Sequence, residues 1–263
     1  RPLMKLSVLM PVYNERRTLR EIVARVLKQE TPGVDQVEVI IVDDCSTDGS
    51  DEIIRQLHQE YPETIHPILL EENQGKGHAI RLAIQAARGD IAIIQDADLE
   101  YDPADYDIVL RPIIKGEADV VYGSRFADRE QRRVLYFRHT LANRFLTFLS
   151  NCFTNLNLTD METCYKAFRV ELAKTIPIRS NRFGIEPELT AKFAKRKLRI
   201  FEVPISYHGR TYAEGKKITW KDGLRAFRTI IKFWLIDDMF EGDYGHKDLI
   251  DMEAAPKYTE WTL

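Results

Sequence analysis

The sequence predicts an α/β protein: a mostly parallel sheet flanked by helices, followed by a helical elaboration. Three observations predict it. Apolar runs of strand length alternate with segments of helical periodicity as far as residue 123. The connections between them are short, as parallel strands joined by right-handed crossovers require. Two of the runs end in carboxylate pairs, Asp43 with Asp44 and Asp96 with Asp98, at the strand ends where ligands bind in open α/β sheets.

Residues 6–10 read as the first strand, Pro11-Val12-Tyr13-Asn14-Glu15 as a loop, and Leu19, Ile22, Val23, Val26 and Leu27 as the apolar face of a helix. Residues 37–42 form the second strand, and a helix carrying Ile53, Ile54 and Leu57 follows, capped by Ser46 or Asp48. The third strand is 65–70; Gly75-Lys76-Gly77 then leads into a helix with Ile80, Ala83, Ile84 and Ala87. The continuous apolar run that starts at Ile91 is a buried central strand. After it come a helix with Ile108, Val109 and Ile113 and a fifth strand over 119–122. Beyond Gly123 the alternation breaks down: helices are expected around 141–153 and 186–195, a strand at 198–203 and a long helix over 220–236. We expect one domain over 1–240, with a ligand-binding half (1–123) and an acceptor-side half (124–240), then a polar tail, 241–263.

Composition narrows the function classes. A chain of 263 residues, 44% hydrophobic and 30% charged, is globular rather than disordered. Cys45, Cys152 and Cys164 are too scattered for a disulfide framework or a zinc knuckle, which suggests a reducing compartment. No N-terminal signal pattern is visible, and the apolar run around 230–236 is interrupted by Lys232, short of the ~20 residues a membrane span needs. A cytoplasmic protein is expected. The net charge of −3 is uneven: Arg125, Arg129, Arg132, Arg133, Arg138 and Arg144 crowd one segment and a second basic series runs from Lys192 to Lys232. The second half would meet a polyanionic substrate or an anionic surface, unless these charges form a solvated face. No nucleic-acid partner is expected.

The chemistry centres on Asp96 and Asp98. In extended chain both point the same way, and two hard oxygen donors suit Mg²⁺ or Mn²⁺, which would in turn hold a diphosphate. An Asp-rich turn, helped by Asp102-Pro103, is the alternative. Gly75-Lys76-Gly77-His78 lacks the loop length and Lys-Ser/Thr pair of a P-loop, and Ile80 stands where a dinucleotide fingerprint has its third glycine. Kinase and dehydrogenase readings are therefore poor. Gly77 lets backbone approach either a diphosphate at a helix N-terminus or another backbone segment. Asp43 and Asp44 accept from a nucleobase or ribose, or cap a helix.

Four motifs, Pro11-Val12-Tyr13-Asn14-Glu15, Val42 through Gly49, Asn73-Gln74-Gly75-Lys76-Gly77 and Gln95-Asp96-Ala97-Asp98-Leu99, together resemble family 2 glycosyltransferases of the dolichyl-phosphate mannosyltransferase-like branch. The resemblance covers roughly residues 5–236. It implies a GT-A fold, a nucleotide-diphosphate sugar donor of the GDP-mannose or UDP-glucose type, a divalent metal (Mg²⁺ or Mn²⁺) and an inverting transfer to a polyprenyl phosphate. Pro11, Tyr13, Glu15, Asp43 and Asp44 would line the nucleoside pocket; Asp96 and Asp98 would hold the metal, with Glu100 where the family often has Gln. Gly123-Ser124-Arg125 resembles the family's basic turn, which would make Arg125 a catalytic residue, and Val203 to Arg210 with Gly215-Lys216-Lys217 its mobile loop, so that Arg210 and Lys216 would neutralise the diphosphate. One departure concerns the acceptor: Asp160-Met161-Glu162-Thr163-Cys164-Tyr165-Lys166-Ala167-Phe168-Arg169 stands where that branch usually has Ser-Gly-Phe-Arg after its Asp. Transfer to a hydroxyl of a glycan, lipid or protein is therefore the alternative, with Asp160 or Glu162 as the base. A sugar-1-phosphate nucleotidyltransferase would need a Gly-rich loop after the first strand, which is absent.

The last helix adds a membrane expectation. Leu224, Phe227, Ile231, Trp234 and Leu235 form one stripe and Lys221, Arg225, Arg228 and Lys232 another, the pattern of a helix lying on the inner face of the cell membrane. Packing against the catalytic domain would use the same stripe.

Overall fold

The structure, a computed structural model, describes residues 4–127, 134–182, 184–209 and 220–235, with backbone alone for 220–226. Seven strands form one sheet: β1 (Met4–Val12), β2 (Val34–Asp43), β3 (Ile65–Leu69), β4 (Ile91–Ile94), β5 (Val120–Ser124), β6 (Lys166–Arg169) and β7 (Ile200–Pro204). Their order is β3-β2-β1-β4-β6-β5-β7. All pairings are parallel except those of β6, which runs antiparallel to both β4 and β5.

The first half follows the predicted alternation, with α1 (Leu19–Lys28), α2 (Ser50–Glu60), α3 (Lys76–Ala86) and α4 (Tyr106–Ile114) between the strands. Each buries the apolar face read from its spacing; α1, for example, buries Leu19, Ile22, Val23 and Val26. β4 is buried along its whole length, so its side chains support both faces of the sheet. Truncating Ile93, fully buried, to Ala would cost about 2–5 kcal/mol.

Two local differences have simple causes. Pro11 and Val12 belong to β1 rather than to the loop, paired with Val42 and Asp43. Proline is tolerated there because β4 stops at Ile94, opposite Leu9, so no partner on that side requires an N–H from residue 11. Helix α2 begins after Gly49, and Asp48, not Ser46, serves its first turn: Asp48 Oδ1 accepts from the Ser50 N–H at 3.0 Å.

In the second half, α5 (Phe137–Thr154), α6 (Val170–Lys174), α7 (Ile185–Lys195) and α8 (Trp220–Leu235) surround the far side of the sheet. β6 was not predicted. It is four residues long, and it begins at Lys166, whose side chain is buried and bonded to the Met161 carbonyl at 2.9 Å, which defeats an apolar pattern. Helix α8 packs on α5 and α7, with Ile230 and Phe233 buried and Phe227 against the core. Ile230 and Phe233 lie beside the stripe read from the sequence; of that stripe Phe227 packs on the core, Ile231 and Trp234 are half-buried and Leu235 is 65% exposed. No described helix is long and apolar enough to cross a membrane.

Candidate active site

The parallel strands all end at one edge of the sheet, and β6, being antiparallel, starts there; the described candidates for donor, metal and catalytic roles, Gly77 excepted, sit on strand ends or loops at that edge. The β1 and β2 loops are stitched together. Asn14, at φ 55°, donates its N–H to Ser46 Oγ (2.9 Å) and accepts from the Thr47 N–H (2.8 Å), and the Glu15 N–H bonds Ser50 Oγ (3.1 Å). Tyr13 stands 41% exposed above this join, with Pro11 and Glu15 half-buried beside it. Asp43 is buried. Burial raises its carboxyl above the ordinary value, against two hydrogen bonds from Ser46 that hold it down. Asp44 faces the other way, accepting from the Gln74 N–H (2.7 Å), the Gly75 N–H (2.8 Å) and Asn73 Nδ2 (2.9 Å), so it fixes the turn into α3. Gly77 on that helix lies close to another backbone segment: a Cβ there would lie 2.1 Å from the Ser180 carbonyl oxygen.

Asp96 and Asp98 leave β4 over a rigid base. Gln95 is fully buried, accepting from Tyr165 Oη (2.6 Å) and Tyr106 Oη (2.9 Å), so the strand end cannot swing. Lys76 Nζ lies 3.0 Å from Asp96 and 3.4 Å from Glu186 of α7. Burial opposes the Lys76 ammonium, but Asp96 and Glu186 outweigh it and hold the group charged well above its ordinary range. Glu100 turns away, accepting from Tyr207 Oη at 2.7 Å. Among the described residues no three His, Cys, Asp or Glu side chains form a metal-binding group, so Asp96, Asp98 and Glu100 do not assemble as a three-carboxylate cage. Two hard carboxylates still fit Mg²⁺ or Mn²⁺ where substrate phosphates complete the shell, the usual arrangement for Mg²⁺.

Arg125, just past β5, meets Asp160 ahead of β6. Nε and Nη2 lie 2.6 and 2.7 Å from the two carboxylate oxygens, and the Arg125 N–H adds a third bond at 3.0 Å. Asp160 is 0% exposed and Arg125 11%. The guanidinium lies over the Tyr207 ring, 5.1 Å from its centroid. Tyr207 in turn joins Glu100, and the His208 N–H bonds the Glu100 carbonyl (2.8 Å), tying the β4 and β7 loops together. A cleft of about 200 Å³ opens beside Arg125 and Tyr207, walled by Tyr136, His139 and Asn143. Behind Asp160, burial and then the nearby Glu186 push the Glu162 carboxyl up to about 8, and its buried Oε1 has no hydrogen-bond partner among the described residues.

The edge thus brings together Pro11, Tyr13, Glu15 and Asp43 in one group, Asp96 and Asp98 in the next, and Arg125 with Asp160 beyond. Arg210 and Lys216 lie outside the described residues. Sequence reasoning missed Lys76, Glu186 and Tyr207. Lys76 lies inside Asn73-Gln74-Gly75-Lys76-Gly77, where the glycines carry the pattern, and Glu186 reads as an ordinary acid in a first helical turn.

Residues 7–176 match the sequence model of the family described as Glycosyl transferase family 2. Over 210 residues, 80% of this chain, the sequence is 30% identical to an undecaprenyl-phosphate 4-deoxy-4-formamido-L-arabinose transferase of Edwardsiella ictaluri. The match spans 62% of that relative's length. Among solved structures, a glucosyl-3-phosphoglycerate synthase of Mycobacterium tuberculosis superposes with a TM-score of 0.67 at 19% identity, covering 89% of this chain and 82% of that one. The same synthase in complex with Mn²⁺, uridine diphosphate and phosphoglyceric acid gives 0.67 at 20% identity, over 89% and 80% of the two chains. This likeness shows the fold: the sheet and its helices have the GT-A arrangement.

Proposed function

The chain belongs to glycosyl transferase family 2, and from that premise we propose that it is an inverting, metal-dependent hexosyltransferase acting from a nucleotide-diphosphate sugar onto a polyprenyl phosphate at the cytoplasmic face of a membrane. The donor is of the GDP-mannose or UDP-glucose type. Its nucleoside lies against Pro11, Tyr13, Glu15 and Asp43, while Asp44 acts through the turn that carries Lys76. Asp96 and Asp98 hold the ion, which when bound neutralises charge on the departing nucleoside diphosphate. Arg210 and Lys216 add cationic stabilisation to the same leaving group.

One observation supports the acceptor: both oxygens of Asp160 are committed to Arg125. A hydroxyl acceptor needs a positioned base, whereas a phosphate monoester, with a second pKa near ~6, is already largely dianionic at neutral pH. Asp160 is then a positioning residue that aims Arg125 at the cleft, where a guanidinium meets a phosphate well. The name of the Edwardsiella relative, an undecaprenyl-phosphate transferase, supports the same class. A second reading, transfer to a hydroxyl, is favoured by Glu162, whose raised carboxyl and buried Oε1, without a partner among the described residues, have the character of an acid–base group.

The test is turnover with a panel of nucleotide sugars against short polyprenyl phosphates and the corresponding alcohols. Transfer to the phosphates, with a rate that follows ionisation of the acceptor, is expected. Transfer to the alcohols alone, abolished by Glu162→Gln, would establish the second reading instead.

A further inference from the structure

Helix α5 has two unlike faces. Leu146, Thr147, Ser150 and Thr154 are buried, and His139, Thr140 and Asn143 on its first turns line the cleft beside Arg125. The opposite face carries Phe137, Leu141, Phe145 and Phe148, spaced four, four and three residues apart so that they fall in one row. These side chains are 78%, 58%, 55% and 64% exposed. Scattered exposed hydrophobics are ordinary, but four large ones in one row are not. Arg138 and Arg144, both exposed, flank the row on its two sides, and α5 contains no Asp or Glu. Val134, 92% exposed, and Tyr136 carry the apolar surface from the start of α5 to the cleft wall.

We propose that this outer face of α5 lies on an anionic bilayer, with Phe137, Leu141, Phe145 and Phe148 at the headgroup boundary and Arg138 and Arg144 against lipid phosphates. An apolar row bordered by cations and free of acids is the chemistry of a helix that rests in the plane of a membrane interface. Neither a second copy of this chain nor its own Asp- and Glu-rich segment 236–263 accounts as well for the continuity of this surface with the cleft mouth, where a lipid-borne phosphate would reach Arg125. α8, the helix whose sequence first suggested such contact, turns Ile230 and Phe233 inward. The inference rests on the proposed transferase reading only for what enters the cleft. Vesicle binding is measured without donor or acceptor, so either idea can fail without the other.

The test is flotation of the full chain with vesicles of phosphatidylcholine, with and without phosphatidylglycerol, alongside sedimentation equilibrium. Wild type should float with the anionic vesicles, and Phe137→Ser/Leu141→Ser/Phe145→Ser/Phe148→Ser should not, while keeping its circular dichroism spectrum. Arg138→Gln/Arg144→Gln, which leaves the apolar row in place, should weaken binding to anionic vesicles about five-fold for each charge removed, at ~1 kcal/mol per cation, and leave neutral vesicles unaffected. Binding unchanged in both variants would place the contact elsewhere and overturn the proposal. So would a wild type that floats with neither vesicle, whether it is a dimer that the Ser variant dissolves, with a second copy covering the row, or a monomer that covers it with its own chain.

Discussion

Replacing Asp160 by Asn separates positioning from proton transfer. Asp160 is fully buried and Arg125 nearly so, with three hydrogen bonds between them at 2.6, 2.7 and 3.0 Å. Breaking a buried pair from one side costs about 3–5 kcal/mol, because the remaining charge is left desolvated. Asparagine keeps one carbonyl acceptor, so the lower end, about 3 kcal/mol, is expected; at about 2–4 °C per kcal/mol the melting temperature falls by roughly 6–12 °C. Arg125→Gln strands Asp160 in the same way. The double variant strands neither, so it should be more stable than the sum of the single losses requires, by about 2–3 kcal/mol. Urea and thermal unfolding of the four proteins read this coupling directly. Transfer activity should fall in both single variants while the pH profile keeps its shape. Coupling under ~0.5 kcal/mol would refute the argument for the pair. Loss of a carboxylate limb from the pH profile of Asp160→Asn would refute positioning and restore Asp160 as a base.

Asp98→Asn should abolish transfer and weaken nucleoside diphosphate binding in Mg²⁺ or Mn²⁺ with the fold intact, as calorimetry would show; full activity in chelator would remove the metal from the mechanism. Glu162 keeps its proton in the folded chain up to about 8 and releases it near 4.5 when unfolded, so the folded state binds more protons between these values. Stability should therefore fall as pH rises from 4.5 to 8, by up to ~1.4 kcal/mol per pH unit, and Glu162→Gln should flatten that slope; equal slopes by urea unfolding would show the carboxyl to be ionised throughout. Gly77→Ala places a methyl 2.1 Å from the Ser180 carbonyl oxygen and should cost about 1–3 kcal/mol, whereas an unchanged urea midpoint would mean that the 180 segment yields freely.

The sequence disclosed the half of the fold where local and tertiary preferences agree. β1 to β5 and α1 to α4 are each buried on the face their periodicity marks, so patterning alone finds them. β6 escaped because Lys166 satisfies its ammonium with backbone carbonyls, a solution that leaves no trace in an apolar pattern. The two uses open to α8 could not be separated from sequence, since an amphipathic helix presents the same stripe to a core and to a bilayer; in the structure Ile230 and Phe233, beside that stripe, are buried while Leu235 within it is 65% exposed. Within the site, the carboxylates at strand ends were legible from their position after buried runs. Their partners were not: Lys76 reaches Asp96 and Arg125 reaches Asp160 across 20 and 35 residues of chain, and such pairings follow from the sheet order.

The placement of β6 has a consequence for how this protein can change. Tyr122 of β5 and Lys166 of β6 are direct neighbours in the sheet, so the chain between them departs and returns about one strand spacing apart, ~5 Å. Everything from Arg125 through the apolar row of α5 to Asp160 is carried on that excursion. Its closure is already secured by the ladder at its base, and doubling such a loop adds only ~0.6 kcal/mol of entropy. Length can therefore change at the outer end of α5 at little entropic cost, while Tyr165 at the returning end, which holds Gln95 beneath Asp96 and Asp98, and the buried face of α5 against α7 and α8 must be kept.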